Sequence, residues 1–451
     1  MAGTTAQVAL EKAIEKGILG PSPSKEIIAG QPQPLGLYYD LDVFDKALKD
    51  VQNAFGAGFF HASAVKTNPV NGILKLICKE GLGAECASIG EILNCLDAGF
   101  TGDKIVYDSP MKTEPEIIFA LEKGIHINAD NFCEIDIIAK QLKRMNCKTP
   151  PTIGLRVNPL IGNADGGVKE LSCSSESSKF GVPMTEEFKK EITKYFMQHS
   201  WLTALHVHIG SQSYNGKELA TGLRKAVVLA LDINKKIGQN QICVFDIGGG
   251  YPVNRDDDTV KPTFYEYAQN LREIIPELFP EYGTFKKVIT EFGVSLHAKA
   301  GWLASRVEYV KKSGDDELNI VSTHVGADLC MRSCYVPKQK KYQRRVKVFD
   351  KDGRPKNGEK KRYNIAGPLC FSGDVLKYDE LLPEVERGDY IILFDCGSNS
   401  LSLASKHCSR FAPSVFGYRK LQNDEVNFVV LKEAQTKEEL LKFWGGGNTE
   451  K

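Results

Sequence analysis

The chain contains no run of roughly 18 apolar residues, the length a helix needs to cross a bilayer, so an ordinary helical membrane protein is excluded. Neither charge prevails: 58 lysines and arginines face 57 aspartates and glutamates, and no general attraction to nucleic acid or to a membrane surface is expected. The 12 cysteines form no CxxC pair and no His/Cys cluster at zinc spacing, which argues against a disulfide scaffold and against a metal. Buried thiols in a reducing cytoplasm are the expectation. Met1–Gly20 lacks the basic start, apolar stretch and small-residue cleavage site of a secretory leader, and reads as a short amphipathic helix ending at Gly17. Internal repeats and low-complexity tracts are absent as well.

What is present is a globular composition, 42% hydrophobic and 25% charged, over 451 residues, more than one ordinary domain needs. From Gly56 to Gly293 short β-rich runs alternate with stretches carrying apolar residues at helical spacing, the sign of parallel βα units. The runs lie near Phe59–Lys66, Ala84–Ser88, Lys104–Ser109, His126–Asp130, Thr152–Asn158, Ala204–Ser211, Val244–Gly250 and Lys287–Gly293. That set makes a complete α/β fold of the TIM type, a (β/α)8 barrel. After Gly301 the strands Arg306–Lys311, Leu318–Val325, Tyr342–Phe349 and Tyr390–Asp395 are separated by charged turns, predicting a second, C-terminal β-rich domain. The expected division is an N-terminal extension over 1–34, a barrel over 35–300 and the β-rich domain over 301–451, which the lone strand Gly36–Asp40 joins. Lys338–Arg362 is dense in lysine and arginine around an Asp352-Gly353 turn; it reads as a solvated hairpin, with phosphate or partner binding as the alternative.

In such a barrel the chemistry sits at the carboxyl ends of the strands. Those ends carry Lys66, Ser88, Asp108, Asp130, Arg156 with Asn158, His208 with Ser211, Gly248-Gly249-Gly250, and Glu291. Any single member is explained as the polar residue at which a strand stops, but the whole set is not. Lys66 closes the apolar run Ala62-Ser63-Ala64-Val65-Lys66, where burial lowers an amine's pKa towards the reactive neutral form. Such an amine forms a Schiff base with a cofactor or, as in aldolases, with the substrate; an ordinary strand-edge lysine is the plain alternative. Gly248–Gly250 offers unobstructed backbone N–H groups and Ser211 a hydroxyl, together suited to a phosphate monoester. Glu291 could hold a pyridine nitrogen protonated, and His208 could stack on a flat ring. Amine, phosphate cradle, stacking ring and carboxylate together describe pyridoxal 5'-phosphate.

Six ordered motifs then carry a resemblance. They are Ala64-Val65-Lys66-Thr67-Asn68, Ser178-Lys179-Phe180-Gly181, His206-Val207-His208-Ile209-Gly210-Ser211-Gln212, Asp246-Ile247-Gly248-Gly249-Gly250, Gly367-Pro368-Leu369-Cys370 and Ser372-Gly373-Asp374. From about Leu35 to Tyr418 the chain resembles the fold-type-III pyridoxal-phosphate decarboxylases, nearer in spelling to diaminopimelate decarboxylase than to ornithine decarboxylase. The resemblance implies an alanine-racemase-like barrel in which Lys66 carries the cofactor, His208 stacks on it, and Ser211, Gly248, Gly249, Gly250 and Gly293 bind its phosphate. It also implies that Glu291 pairs with the pyridine nitrogen and that Cys370 protonates the carbon left when carbon dioxide departs. A head-to-tail homodimer is implied too, with active sites at the interface and Cys370 arriving from the partner subunit.

The departures fall on substrate recognition. Glu291-Phe292-Gly293-Val294 stands where the family has Glu-Pro-Gly-Arg, so an anion-gripping arginine is missing. Cys370-Phe371-Ser372 replaces Cys-Glu-Ser, putting a ring where a distal ammonium expects an acceptor, and Asn399 replaces a tyrosine. Arg332 and Tyr335 lie roughly where the family places another arginine and tyrosine. Arg332, Tyr335, Phe371, Asp374 and Asn399 are therefore the expected substrate contacts, and the expected substrate is an amino acid other than meso-diaminopimelate. A catalytically silent regulator, similar to the antizyme-inhibitor relatives of ornithine decarboxylase, and a racemase are the rival readings. The four residues Lys66, His208, Glu291 and Cys370 argue against the first, and Glu291 against the second.

Overall fold

The computed structural model describes residues 2–21, 33–162, 172–212, 214–315 and 317–447. The chain forms two compact units, one of residues 47–253 with 260–296, the other of residues 1–46 with 254–259 and 297–451.

In the first unit eight short strands, Phe59–Ala64, Gly83–Cys86, Ile105–Asp108, His126–Ala129, Ile153–Asn158, Leu202–His206, Val244–Asp246 and Lys287–Thr290, each pair in parallel with the next. Lys287–Thr290 also pairs with Phe59–Ala64, which closes the barrel. Ala62, Val106, Ala204, Val244 and Ile289, one from each of five strands, pack into a single apolar cluster. All the strands but Ile153–Asn158 stop before their expected ends, and the shortfall is greatest at His206 and Asp246; beyond Asp246, Gly248 (φ 64°) and Gly250 (φ 88°) take left-handed backbone that no ladder accommodates. Ser88, one of the polar strand ends, is spent as a helix cap, its side chain accepting from the Glu91 N–H. Phe292 is 1% exposed and packs against Phe264, Phe55, Tyr267 and Tyr251 at centroid distances of 4.9, 5.7, 6.1 and 6.4 Å.

The second unit is a mixed sheet of nine strands. Leu35–Asp40 lies inside it, antiparallel to Gly301–Lys312 and parallel to Val415–Lys420. The segment expected as an extension also folds with this sheet: helix Ala2–Glu15 buries Ala6, Ala9, Leu10 and Ala13, one face at helical spacing, against Tyr38, Trp302, Ile392 and Phe394. The unit therefore begins well before residue 301. Strands Lys361–Ala366, Val375–Leu382, Val415–Lys420 and Val426–Lys432 had no counterpart in the sequence reading. Val375–Leu382 shows why, since only two of its eight residues are buried and the inside-outside alternation is lost. The hairpin expected within Lys338–Arg362 forms, but is short: around the turn at Asp352 and Gly353, Phe349 bridges Pro355 antiparallel, with the Asp350 N–H donating to the Arg354 carbonyl at 2.8 Å and the Lys356 N–H to the Val348 carbonyl at 3.0 Å. Beyond it, Val346–Phe349 pairs with Tyr390–Leu393, while Lys361–Ala366 pairs with Leu318–Thr323 and Val375–Leu382. Among the described residues no helix is long and apolar enough to cross a membrane.

Removing the Phe292 ring leaves a hole among four aromatic neighbours, so Phe292→Ala should cost about 3–5 kcal/mol of stability and Phe292→Leu clearly less. Urea unfolding midpoints check this; equal midpoints for wild type and Phe292→Ala would show that the ring packs against nothing.

Candidate active site

Lys66 follows strand Phe59–Ala64 in a single 3-10 turn, Val65–Thr67, held by the Thr67 hydroxyl donating to the Ala64 carbonyl at 2.7 Å. Its Nζ donates to Glu85 Oε2 at 2.6 Å, so a side chain 51% exposed ends on a carboxylate with no exposure at all. Burial works against the lysine charge, but Glu85, Glu291 and Asp108 outweigh it and raise the amine above its ordinary pKa. The expectation of an amine made neutral by burial is thereby overturned: counter-charge wins. Burial pushes Glu85 itself up to about 7, even with the Lys66 charge pulling it down.

A buried charged chain continues from there. Arg156 Nη1 donates to Asp108 Oδ2 at 2.8 Å; His206 Nδ1 lies 3.3 Å from Asp108 Oδ1, and its Nε2 lies 3.6 Å from Glu291 Oε2. Burial opposes the Asp108 charge, yet the guanidinium holds that carboxyl well below its usual range. The Phe180 ring covers the guanidinium at 4.4 Å, and the Gly181 N–H donates to Asp130 Oδ1 at 3.0 Å, which accounts for the Ser178–Gly181 motif. Asp108, His206 and Glu291 bring three ligand-type atoms within 4.8 Å of one another. Arg156 already neutralises Asp108, so the trio is short of the negative charge a metal ion needs. Glu291 gains too little from Lys66: burial, then Asp246, Glu85 and Asp108, push it well above the carboxylate range, and its buried Oε1 accepts no hydrogen bond.

Lys66, His208, Ser211, Gly250, Glu291 and Gly293 line one cavity of about 370 Å³, open mouth included, within the size range of small-molecule sites. His208 Nδ1 accepts from the Gly249 N–H at 3.0 Å, which places the ring proton on Nε2. Burial, then Arg156 and Lys66, depress its pKa well below normal, leaving a neutral flat ring. A Cβ at Gly249 would strike the Glu291 carbonyl and one at Gly250 the Gly210 carbonyl, so only glycine brings the backbone this close. Three features fit pyridoxal phosphate: an amine in the cavity wall, an orphaned carboxylate oxygen able to take a ring N–H, and a glycine loop bare enough for a phosphate to approach.

The remaining candidates lie in the sheet unit. Cys370 is exposed, in the turn between strands Lys361–Ala366 and Val375–Leu382, and its N–H points at Cys408 Sγ at 3.4 Å. Phe371 stacks on Tyr335 at 5.1 Å, and the Arg332 guanidinium lies over the Tyr342 ring at 5.4 Å. Asn399 stands in a turn at φ 53°, a conformation asparagine tolerates. Asp374 differs from its expected role: it is 3% exposed, and its two oxygens accept from the Ala327 N–H at 2.5 Å and the Leu369 N–H at 2.7 Å, so it pins turns. Glu85 and His206 escaped the sequence reading because they sit within the ladders and not beyond their ends. A carboxylate inside the short apolar run Gly83-Ala84-Glu85-Cys86 was the available signal.

Residues 41–298 match the family described as pyridoxal-dependent decarboxylase, pyridoxal binding domain. The chain is 30% identical over 383 residues to a diaminopimelate decarboxylase of Helicobacter pylori, an alignment covering 82% of this chain and 87% of that protein. It is 27% identical over 383 residues to the Methanothermobacter thermautotrophicus diaminopimelate decarboxylase, covering 84% and 83%. The Helicobacter pylori diaminopimelate decarboxylase complexed with L-lysine superposes with a TM-score of 0.76 at 26% identity, covering 91% of this chain and 96% of that one. The Paramecium bursaria Chlorella virus arginine decarboxylase, at 19% identity and a TM-score of 0.68 over 88% and 96%, shares the fold. Barrel, lysine cavity and these likenesses converge on one conclusion, that the chain belongs to the pyridoxal-dependent decarboxylases and is a pyridoxal-phosphate-dependent carboxy-lyase acting on an amino acid.

Proposed function

We propose that Lys66 carries the cofactor, that the substrate is an amino acid other than meso-diaminopimelate, and that two copies of the chain share their active sites, Cys370 of one serving the Lys66 cavity of the other. The observation that carries the first part is the 2.6 Å contact of Lys66 Nζ with Glu85 Oε2 in a cavity that Glu291 and His208 also line. When bound, pyridoxal phosphate supplies the electron sink for the pair released as carbon dioxide leaves. Glu85, pushed up to about 7, is the acceptor to which Lys66 Nζ passes its proton whenever the amine has to be neutral. Glu291 would hold the ring-nitrogen proton, His208 would lie against the ring, and Ser211 with the Gly248–Gly250 amides and Gly293 would hold the phosphate.

Cys370 Sγ delivers the proton to the decarboxylated carbon. Its exposure on the sheet unit supports delivery to a second copy. Val294 lines the cavity where the diaminopimelate-type pattern carries arginine, Phe371 is engaged with Tyr335, and Asp374 is consumed by backbone N–H groups. A distal ammonium-carboxylate pair would lack acceptor and donor there, which favours a side chain with a less charged end. All 12 cysteines are free thiols, which suits a reducing cytoplasm.

Carbon dioxide release across diaminopimelate, lysine, ornithine, arginine, glutamate and aromatic amino acids should reveal a preferred substrate other than diaminopimelate, with Lys66→Ala inactive on all. Exclusive use of diaminopimelate refutes the substrate reading. Cys370→Ala should lower kcat by about 10²- to 10⁴-fold. Mixing inactive Lys66→Ala and Cys370→Ala subunits should restore roughly a quarter of wild-type activity, since half of the dimers are mixed and one of their two sites is intact; no recovery would mean unshared sites. In cofactor-free Glu85→Gln the lysine loses its nearest counter-charge and its pKa falls, each unit giving about tenfold more free amine. Reductive methylation of Lys66 at pH 8, followed by mass spectrometry, should therefore quicken; an unchanged rate would remove Glu85 from its role.

A further inference from the structure

Not all of the basic stretch Lys338–Arg362 is solvated. Arg344 is 8% exposed; its Nη2 reaches the Ser398 carbonyl only at 3.5 Å, and its buried Nε and Nη1 meet no acceptor. Arg255 donates from Nη1 to the Asp395 carbonyl at 2.9 Å, while its buried Nε also meets none. The turn that supplies both carbonyls holds Ser398 and Ser400, 1% and 3% exposed, with hydroxyls that have no partner. Five polar atoms able to donate are thus gathered at one turn of the sheet unit, each unpaired.

The charge balance points the same way. The Asp395 carboxylate is taken by Lys299 at 3.2 Å and Arg345 at 3.4 Å, and Asp258 by Arg345 at 2.6 Å. Burial, then the neighbouring Arg344 charge, depress Arg255 to about 9. The Cys396 thiol is drawn below its usual pKa by Cys330 and by both arginines, against its own burial, yet a thiolate offers at most one negative charge for two. Two guanidiniums left in this state are costly, and a ligand that accepts from both relieves the cost.

We propose that Arg255, Arg344, Ser398 and Ser400, all of the sheet unit, form a binding site for a phosphate-type oxyanion. Two cations with two hydroxyls match a tetrahedral dianion, whereas a single carboxylate would leave one charge uncovered. Free inorganic phosphate and a phosphate monoester share this chemistry.

The test uses the cofactor-loaded enzyme, so that the barrel's phosphate cradle is filled, and compares thermal melting in chloride with inorganic phosphate, glycerol phosphate and succinate at equal ionic strength. A rise of a few degrees with inorganic phosphate identifies it as the source, and a rise with the ester alone identifies an ester. In Arg344→Gln the concentration giving half the rise should increase at least about tenfold, and in Ser400→Ala by less. No rise with either phosphate, a rise with succinate alone, or an equal rise in Arg344→Gln overturns the proposal. Should Arg344→Gln fail to fold, tungstate soaked into crystals of the unsubstituted holoenzyme should give an anomalous peak against Arg255 and Arg344, and a map without one overturns it as well.

Discussion

Closing eight parallel strands into a barrel forces every inward-facing charge to find its partner inside, because the lumen has little water to offer. Lys66 Nζ and Glu85 Oε2, 2.6 Å apart, are the pair on which the rest turns. Glu85 has no exposure, and without the amine it would be an uncompensated buried anion beside Asp108 and Glu91. The same demand repeats along the lumen: Arg156 answers Asp108, and Asn128 Nδ2 answers Asp246 Oδ2 at 3.0 Å. Glu85, Asp108 and Glu291 each keep one buried oxygen without a donor, but the other oxygen of Glu85 and of Asp108 meets a cation, whereas Glu291 Oε2 meets only His206 Nε2, at 3.6 Å. Under the proposed function, the carboxylate left without a close cation is the one that receives a cationic ring nitrogen.

The legible part of this arrangement was the part governed by local rules. Eight strand runs could be counted because alternating short β and helical segments imply parallel units whatever their tertiary partners, and the site residues lying past strand ends, Lys66, Ser211 and Glu291, emerged from the same count. The charge state of Lys66 was misjudged, since burial is a property of one position while the three carboxylates that reverse it come from Gly83–Cys86, Ile105–Asp108 and the Glu291 turn. His206 was hidden for a related reason: its role depends on Asp108 and Glu291 lying to either side, which only barrel closure arranges.

In the sheet unit legibility fell further, because its order mixes near and distant segments: Leu35–Asp40 lies between strands that start 266 and 380 residues later. Asp374 illustrates the cost. As a residue of a Ser-Gly-Asp motif it suggested a substrate contact, and only the fold reveals that Ala327 and Leu369 claim both oxygens. Arg344 shows the converse, since a stretch whose charge pattern reads as solvated edge turns one guanidinium inwards.

These contrasts bear on the separation of cofactor chemistry from substrate choice that the proposed function requires. Lumen charges are interlocked, so replacing Asp108 leaves Arg156 a buried charge alone, at a cost of several kcal/mol, and replacing Glu85 takes from Lys66 its nearest counter-charge. Phe371, in a turn of the sheet unit, carries no such penalty. Phe371 rests on Tyr335, which is 60% exposed, and neither holds a buried partner charge in place. The chain's departures from the diaminopimelate-type pattern fall at Val294, Phe371 and Asn399, while Lys66 and Glu291 keep it.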